Sequence, residues 1–161
     1  MFQKVNSRLI LTTLRSLRIA LLHESTQVRS GGLRAIRHVL RNEDDIAQLN
    51  KLLIPFLIAR SLDLVLKNDV ERIEAMKLIR KILLLSPSNF HVALGRSLVS
   101  LANGGVEEKD RLLRICLATL CELGTSTFVG SDTKLMFTLQ VWLTQVYSSK
   151  REAWQRLREI Y

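Results

Sequence analysis

The sequence predicts an all-α protein, built as an armadillo- or HEAT-like helical-repeat solenoid, on two observations. Apolar residues recur at helical spacing along the chain, with no sustained alternation of the kind strands show. A helical stretch at residues 28–40, VRSGGLRAIRHVL, also recurs twice in looser form, with Arg29 aligned to Arg72 and Arg111. The copies lie about 40 residues apart, the period at which armadillo and HEAT repeats stack because one repeat cannot bury its apolar face alone.

The first copy has one apolar face and one basic flank. Its apolar stripe, expected to pack inward, consists of Leu33, Ile36, Val39 and Leu40. Arg34, Arg37 and Arg41 keep helical spacing on the polar flank, which is expected to meet water. These three arginines form the candidate partner-binding basic face. Gly32 projects to the packing side, where a neighbouring helix is expected to come close.

Capping residues and proline place the other helices. The expected helices start at residue 6 or 7 and end at 22, then cover 26–42, a segment from 44 or 45 to 66, 69–85, 91–102 and 107–123. Pro55 divides the segment that ends at residue 66, because proline removes a helical donor and clashes with the preceding turn. A short helix followed by a longer one over residues 56–66 is predicted.

The chain divides into two parts at Gly124. Residues 1–123 carry the helical repeats. Residues 124–161 form a divergent tail, in which a loop precedes two helices and the second has only a thin apolar stripe. We therefore predict repeats over 1–123 and a divergent helical C-terminal tail over 124–161.

Bulk composition favours one helical core in a reducing compartment. The 161 residues are 47% hydrophobic, with seven Gly and two Pro. The longest apolar runs, such as residues 52–59, are far shorter than the roughly 18 residues of a membrane span, and we identify no secretion signal. Cys116 and Cys121 are the two cysteines, expected to be free and buried. A cytoplasmic location without a membrane span is predicted.

No constellation of catalytic residues emerges. His23, His38 and His91 have no second metal-type ligand at i+3 or i+4, and the glycine pairs lack the Lys-Ser or Lys-Thr ending of a phosphate loop. No serine lies in a nucleophile elbow. The prediction is a non-enzyme with no catalytic, cofactor-binding or metal-binding residue.

The net charge of +9 leaves two interpretations of the basic residues open. They form a solvated face, or they bind an acidic protein or a phosphate. Aromatic residues make up only 6% of the chain and form no stacking platform, so specific nucleic-acid recognition is not expected. Arg29, Arg72 and Arg111 lie on the packing side, where they are expected to bind carbonyls or carboxylates of the adjacent helix.

Four blocks resemble the N-terminal armadillo region of the rictor family, in the same order and with similar spacing. They are LRIALLHESTQVRSGGLRAIR at 17–37, LIARSLD at 57–63, NDVERIEAMKLIRK at 68–81 and EKDRLLRICLATLCEL at 108–123. The resemblance implies a non-catalytic scaffold subunit of the rapamycin-insensitive TOR kinase complex, which supports complex assembly and signalling to AGC kinases such as Akt. Its implied partners are TOR kinase, the stress-kinase-interacting subunit and other subunits of that complex. The alternative is a generic armadillo-type adaptor that binds acidic peptides or phosphates on a basic face.

Overall fold

Six α-helices and one short 3-10 helix make up the regular structure in the computed structural model, which describes residues 2–63 and 68–103. The helices are α1 (Phe2–Leu21), α2 (Thr26–Val39), α3 (Glu43–Lys51), α4 (Ile54–Arg60), α5 (Asp69–Leu85) and α6 (Val92–Asn103), with the 3-10 helix at Pro87–Asn89. No strand occurs within the described ranges. The predicted all-α class is confirmed.

The helices form two layers, in which equivalent elements of successive repeats stack. Helix α2 packs on α5 in one layer, while α4 contacts both α1 and α6 in the other; α1 packs on α2 across the layers. Polar contacts join residues about 40 positions apart, as repeat stacking requires. One example is the Asn50 side-chain amide, which donates to the Asn89 carbonyl at 2.7 Å. The described helices therefore have the predicted helical-repeat arrangement.

The apolar stripes of the two repeat helices meet in one core. Leu33, Ile36 and Leu40 are fully buried, whereas Val39 is only partly buried. The matching residues of α5, Met76, Ile79, Ile82 and Leu83, are also buried. Since each fully buried aliphatic side chain contributes roughly 1.5–3 kcal/mol by leaving water, stacking of these two stripes is a main source of stability.

Two predicted helix boundaries near the N-terminus are wrong. Helix α1 begins at Phe2, before the expected caps at residues 6 and 7, because nothing in this segment breaks the helical backbone. Helix α2 ends at Val39, not near residue 42. The Asn42 side chain instead accepts from the Asp45 N–H while Asp45 accepts from the Asn42 N–H, a capping box that starts α3 at Glu43. Asn42 serves the next helix, and so the preceding one stops earlier.

Pro55 divides its segment as predicted, but the lengths of the two parts are reversed. Helix α3 has nine residues and α4 has seven. Leu53 turns the chain between them in the left-handed region, with φ 57°, and Pro55 occupies the first turn of α4, where its missing N–H costs no hydrogen bond. Helix α4 ends at Arg60, and residues 64–67 lie outside the described residues.

The remaining described boundaries follow the sequence closely. Asn68 caps α5 by accepting from the Glu71 N–H, and the helix ends at Leu85 before Ser86. Helix α6 starts one residue after the expected position. The third repeat helix with Arg111, both cysteines and the tail at 124–161 lie outside the described residues, so the division after residue 123 stays a prediction.

Adjacent glycines in α2 allow a matched test of the close contact expected at Gly32. A Cβ at Gly32 would lie 3.2 Å from Leu21 Cδ2 and 3.3 Å from Ala20 Cβ of α1, whereas a Cβ at Gly31 would meet nothing within 4 Å. We expect Gly31→Ala to raise the free energy of unfolding by about 0.5–1 kcal/mol, because alanine is the better helix former. Gly32→Ala should gain less or lose stability, because α1 must shift. Urea denaturation measures both, and an equal gain for the two variants would contradict tight packing at Gly32.

Candidate functional site

The three arginines of the predicted basic face occupy different environments. The Arg34 side chain is 56% exposed and lies 3.5 Å from Glu74 of α5, while that of Arg37 is 26% exposed and lies 3.3 Å from the same carboxylate. Arg41 is exposed, beyond the end of α2, and its backbone N–H donates to Asp45 at 2.7 Å. The prediction that this whole flank meets water is therefore wrong for Arg37, because the flank faces the stacked helix α5.

Glu74 is a buried carboxylate surrounded by cations. Its side chain is 6% exposed, and Lys77 Nζ lies 3.2 Å from it in addition to Arg34 and Arg37. Burial alone would raise the pKa of Glu74, but the hydrogen bond from Lys77 and the positive charges of the three cations outweigh it and hold the pKa below its usual value. Glu74 is thus ionised at neutral pH, and its one negative charge faces three positive ones.

A basic groove runs between the C-terminal halves of α2 and α5, with a volume of about 400 Å³. We call it the α2–α5 groove; its lining residues are Arg37, His38, Lys77, Arg80, Lys81 and Leu84. Four of them carry a positive charge at neutral pH, and none is acidic. Lys81 Nζ donates to the Arg37 carbonyl, one of the last α2 carbonyls without a partner in its own helix.

The structure brings Arg37 together with three α5 cations that the sequence prediction missed. Lys77, Lys81 and Leu84 are spaced i, i+4 and i+7, with Arg80 at i+3, and therefore share one face of α5. From this spacing, the sequence could have predicted that these side chains share a face of α5. Arg34 and Arg41 do not line this groove.

Arg34 lines a second groove, of about 480 Å³, near the start of the same two helices. Asn68 lies in this groove too, and its side chain already caps the first turn of α5. Of the described residues in that lining, only Arg34 is charged. Of these two grooves, the α2–α5 groove therefore has the higher positive charge on its described residues.

A second polar cluster is buried and structural. Arg29 donates through Nε and Nη2 to both carboxylate oxygens of Glu71, each at 2.9 Å, and Ser61 Oγ donates to Glu71 Oε1 at 2.9 Å. Arg29 Nη1 also donates to the carbonyls of His23 and Glu24, at 2.8 and 2.6 Å. The hydrogen bonds to Glu71 raise the pKa of Arg29. The cluster connects four elements, which are helix α2, helix α5, the end of α4 and the turn that follows α1.

These contacts confirm the structural role predicted for two of the packing-side arginines. Arg29 binds both carbonyls and a carboxylate, as expected. Arg72 Nη2 donates to the Asp63 carbonyl at 2.9 Å, and its Nη1 lies 3.9 Å from Asp69. Their guanidinium groups hold the repeats together and are not open for a ligand.

The histidines occupy separate elements. His23 follows α1 and accepts from the Ser25 N–H, His38 is in α2, and His91 precedes α6, where its ring packs edge-on against Phe56 at 4.9 Å. Burial lowers the pKa of His91. Within residues 2–63 and 68–103, no group of three or more His, Cys, Asp or Glu is placed to hold a metal ion. No helix in the same ranges is both long and apolar enough to cross a membrane.

Comparison with known proteins identifies the family. The family model described as "Rapamycin-insensitive companion of mTOR, N-term" matches residues 3–129. The mouse and human proteins named Rapamycin-insensitive companion of mTOR are each 40% identical over 107 residues, which is 66% of this chain and 6% of each relative. Protein pianissimo A of Dictyostelium discoideum is 33% identical over 96 residues, 60% of this chain and 8% of that relative.

The chain thus spans less than a tenth of the length of these relatives. The family model covers the contacts between the two repeats, from Arg29 to Asn89, together with the α2–α5 groove. On this match, the chain belongs to the family of the rapamycin-insensitive companion of mTOR and corresponds to its N-terminal region.

Proposed function

We propose that the chain is a non-catalytic scaffold component of the rapamycin-insensitive TOR kinase complex. The observation that carries this proposal is the family match over residues 3–129. The mouse and human relatives are named as companions of mTOR, and that name indicates the class of partner. TOR kinase and the stress-kinase-interacting subunit are the proposed partners, in the cytoplasm, and the output is signalling to AGC kinases such as Akt.

The structure supports a scaffold through its stacked helices. Helices of successive repeats stack into a continuous surface, the arrangement through which helical-repeat proteins hold partners. The Arg29–Glu71 pair that connects the two repeats is buried, so it does not occupy the outer faces of the helices, where other molecules can bind. Within the described residues, the polar clusters at Glu71 and Glu74 each have a packing role, so neither supplies an acid and base pair for catalysis.

The expected binding is weak, because the chain contains few repeats. The match covers 6% of the mouse relative, so the chain can supply only a fraction of the surface through which a protein of that length holds its partners. The chain should therefore bind purified subunits at micromolar or weaker affinity and should transfer no phosphate itself.

The test uses the full 161-residue chain, immobilised and incubated with purified TOR kinase and stress-kinase-interacting subunit after nuclease treatment. We expect one or both subunits to be retained at moderate salt, and an excess of free chain to displace them. A kinase assay with the chain alone should show no activity. If neither subunit is retained by folded chain, the scaffold proposal is wrong.

A further inference from the structure

We propose that the α2–α5 groove binds an acidic protein segment that carries one apolar side chain. This proposal does not depend on membership of the TOR complex, since it rests on the charge, shape and exposed leucine of the groove. It also differs from the basic face expected from the sequence, because only Arg37 belongs to both.

The α2–α5 groove has a net positive charge. Among the described residues that line it, four side chains are cationic and none is a carboxylate. Arg37 and Lys77 share the single negative charge of Glu74 with Arg34, and Lys81 Nζ binds the Arg37 carbonyl, which is neutral. A net positive charge remains, and carboxylates are the groups in proteins that match it.

Leu84 adds an exposed apolar side chain to the α2–α5 groove. Its side chain is 64% exposed and lines the groove beside Arg80 and Lys81. An exposed aliphatic side chain next to cations has a use in recognition, because a partner can cover it with an apolar group while its acidic groups meet the surrounding charges. A free anion would leave Leu84 in water.

The α2–α5 groove is long enough for a short peptide segment. Lys77 and Leu84 lie two helical turns apart on α5, roughly 10 Å at 1.5 Å rise per residue. This length matches about two turns of a partner helix or three residues of an extended strand. The complementary ligand is thus a short acidic segment with a single leucine-like anchor, of the kind that helical grooves accept.

A protein segment fits these features better than nucleic acid or a membrane does. Single-stranded nucleic acid is typically held by several aromatic stacking partners, and the described lining contains no Phe, Trp or Tyr. A phosphate backbone or a lipid surface would use the cations but not the leucine. Binding by either one is an outcome that the experiment distinguishes.

The test measures fluorescence polarisation of a labelled helical peptide of about 16 residues, with glutamates and one central leucine on the same face; this length permits a helix. The protein is the full chain. We expect Leu84→Ala and Arg80→Glu each to weaken binding about fivefold or more. A peptide with alanine in place of its leucine should lose a similar factor with the unaltered protein, and almost none with Leu84→Ala.

Arg15→Glu is the matched control, since it makes the same charge change at an exposed position of α1 that does not line the groove. It should alter binding by less than about twofold at physiological salt, where separated charges are screened. Thermal melts check that each variant is folded, and Arg80→Gln replaces Arg80→Glu if charge reversal lowers stability.

Three outcomes would overturn the proposal. The first is no binding of the peptide at concentrations up to about 1 mM. The second is equal weakening by Arg15→Glu and Arg80→Glu, which would mean general attraction of polyanions. The third is competition by duplex DNA or phosphatidylserine vesicles for the peptide site, together with equal binding of the peptides with and without the central leucine. None of these outcomes depends on retention of TOR subunits, so the groove and the scaffold proposal fail separately.

Discussion

Leu33→Asp should leave the protein without a cooperative fold. Leu33 is fully buried in the apolar core, on a helix that packs on both α1 and α5, so an aspartate there would be a carboxylate among apolar side chains. Truncating a buried leucine typically costs about 2–5 kcal/mol, and burying an unpaired carboxylate adds several more. The sum is comparable to the roughly 5–15 kcal/mol that stabilises a typical domain. Circular dichroism during heating should show reduced helical signal and no sharp transition.

Val28→Asp is the control for that change. Val28 lies on the same helix but is 39% exposed, and it is in the first turn, where a carboxylate interacts favourably with the helix dipole. It should melt close to the unaltered protein. A cooperative melt of Leu33→Asp within a few degrees of the Val28→Asp protein would contradict the assignment of Leu33 to the shared core.

Helix starts could be predicted from sequence where one residue has one role. Asn68 caps α5 with its own side chain, and Pro55 occupies the first turn of α4, both as the residue types suggest. The end of α2 was predicted too late because Asn42 suits either the last turn of one helix or the cap of the next. The capping box that Asn42 forms with Asp45 assigns Asn42 to the start of α3. The preferences of single residues do not predict such a contact between two side chains.

The candidate surface was only partly predictable for a related reason. Helical spacing places Arg34, Arg37 and Arg41 near one another, but it does not say which flank of a helix meets the next repeat. In the structure this flank meets α5, because Arg34 and Arg37 form ion pairs with the buried carboxylate of Glu74. The same stacking creates a groove with cations from two helices, so it becomes visible only when residues about 40 positions apart are brought together.

Breaking the buried pair between Arg29 and Glu71 should have the second largest effect. The Glu71 side chain is 1% exposed and that of Arg29 is 10% exposed, with two parallel hydrogen bonds between them. Of the partners that Glu71 has among the described residues, Arg29→Met would leave the Ser61 hydroxyl as the side-chain donor and would remove the countercharge. We expect a loss of about 3–5 kcal/mol in the free energy of unfolding, because an uncompensated buried charge is costly.

A double-mutant cycle with Glu71→Met separates this pair from its surroundings. The protein with both changes should be less destabilised than the sum of the two single variants, since neither charge is then left alone in the interior. Recovery should be incomplete, because Arg29 also binds the His23 and Glu24 carbonyls in the turn after α1. Arg34→Met is the matched control: its side chain is 56% exposed and Glu74 keeps Arg37 and Lys77, so the cost should stay within about 1 kcal/mol. Urea denaturation gives all four values, and additive losses for Arg29→Met and Glu71→Met would show that the two side chains do not stabilise the repeat interface as a pair.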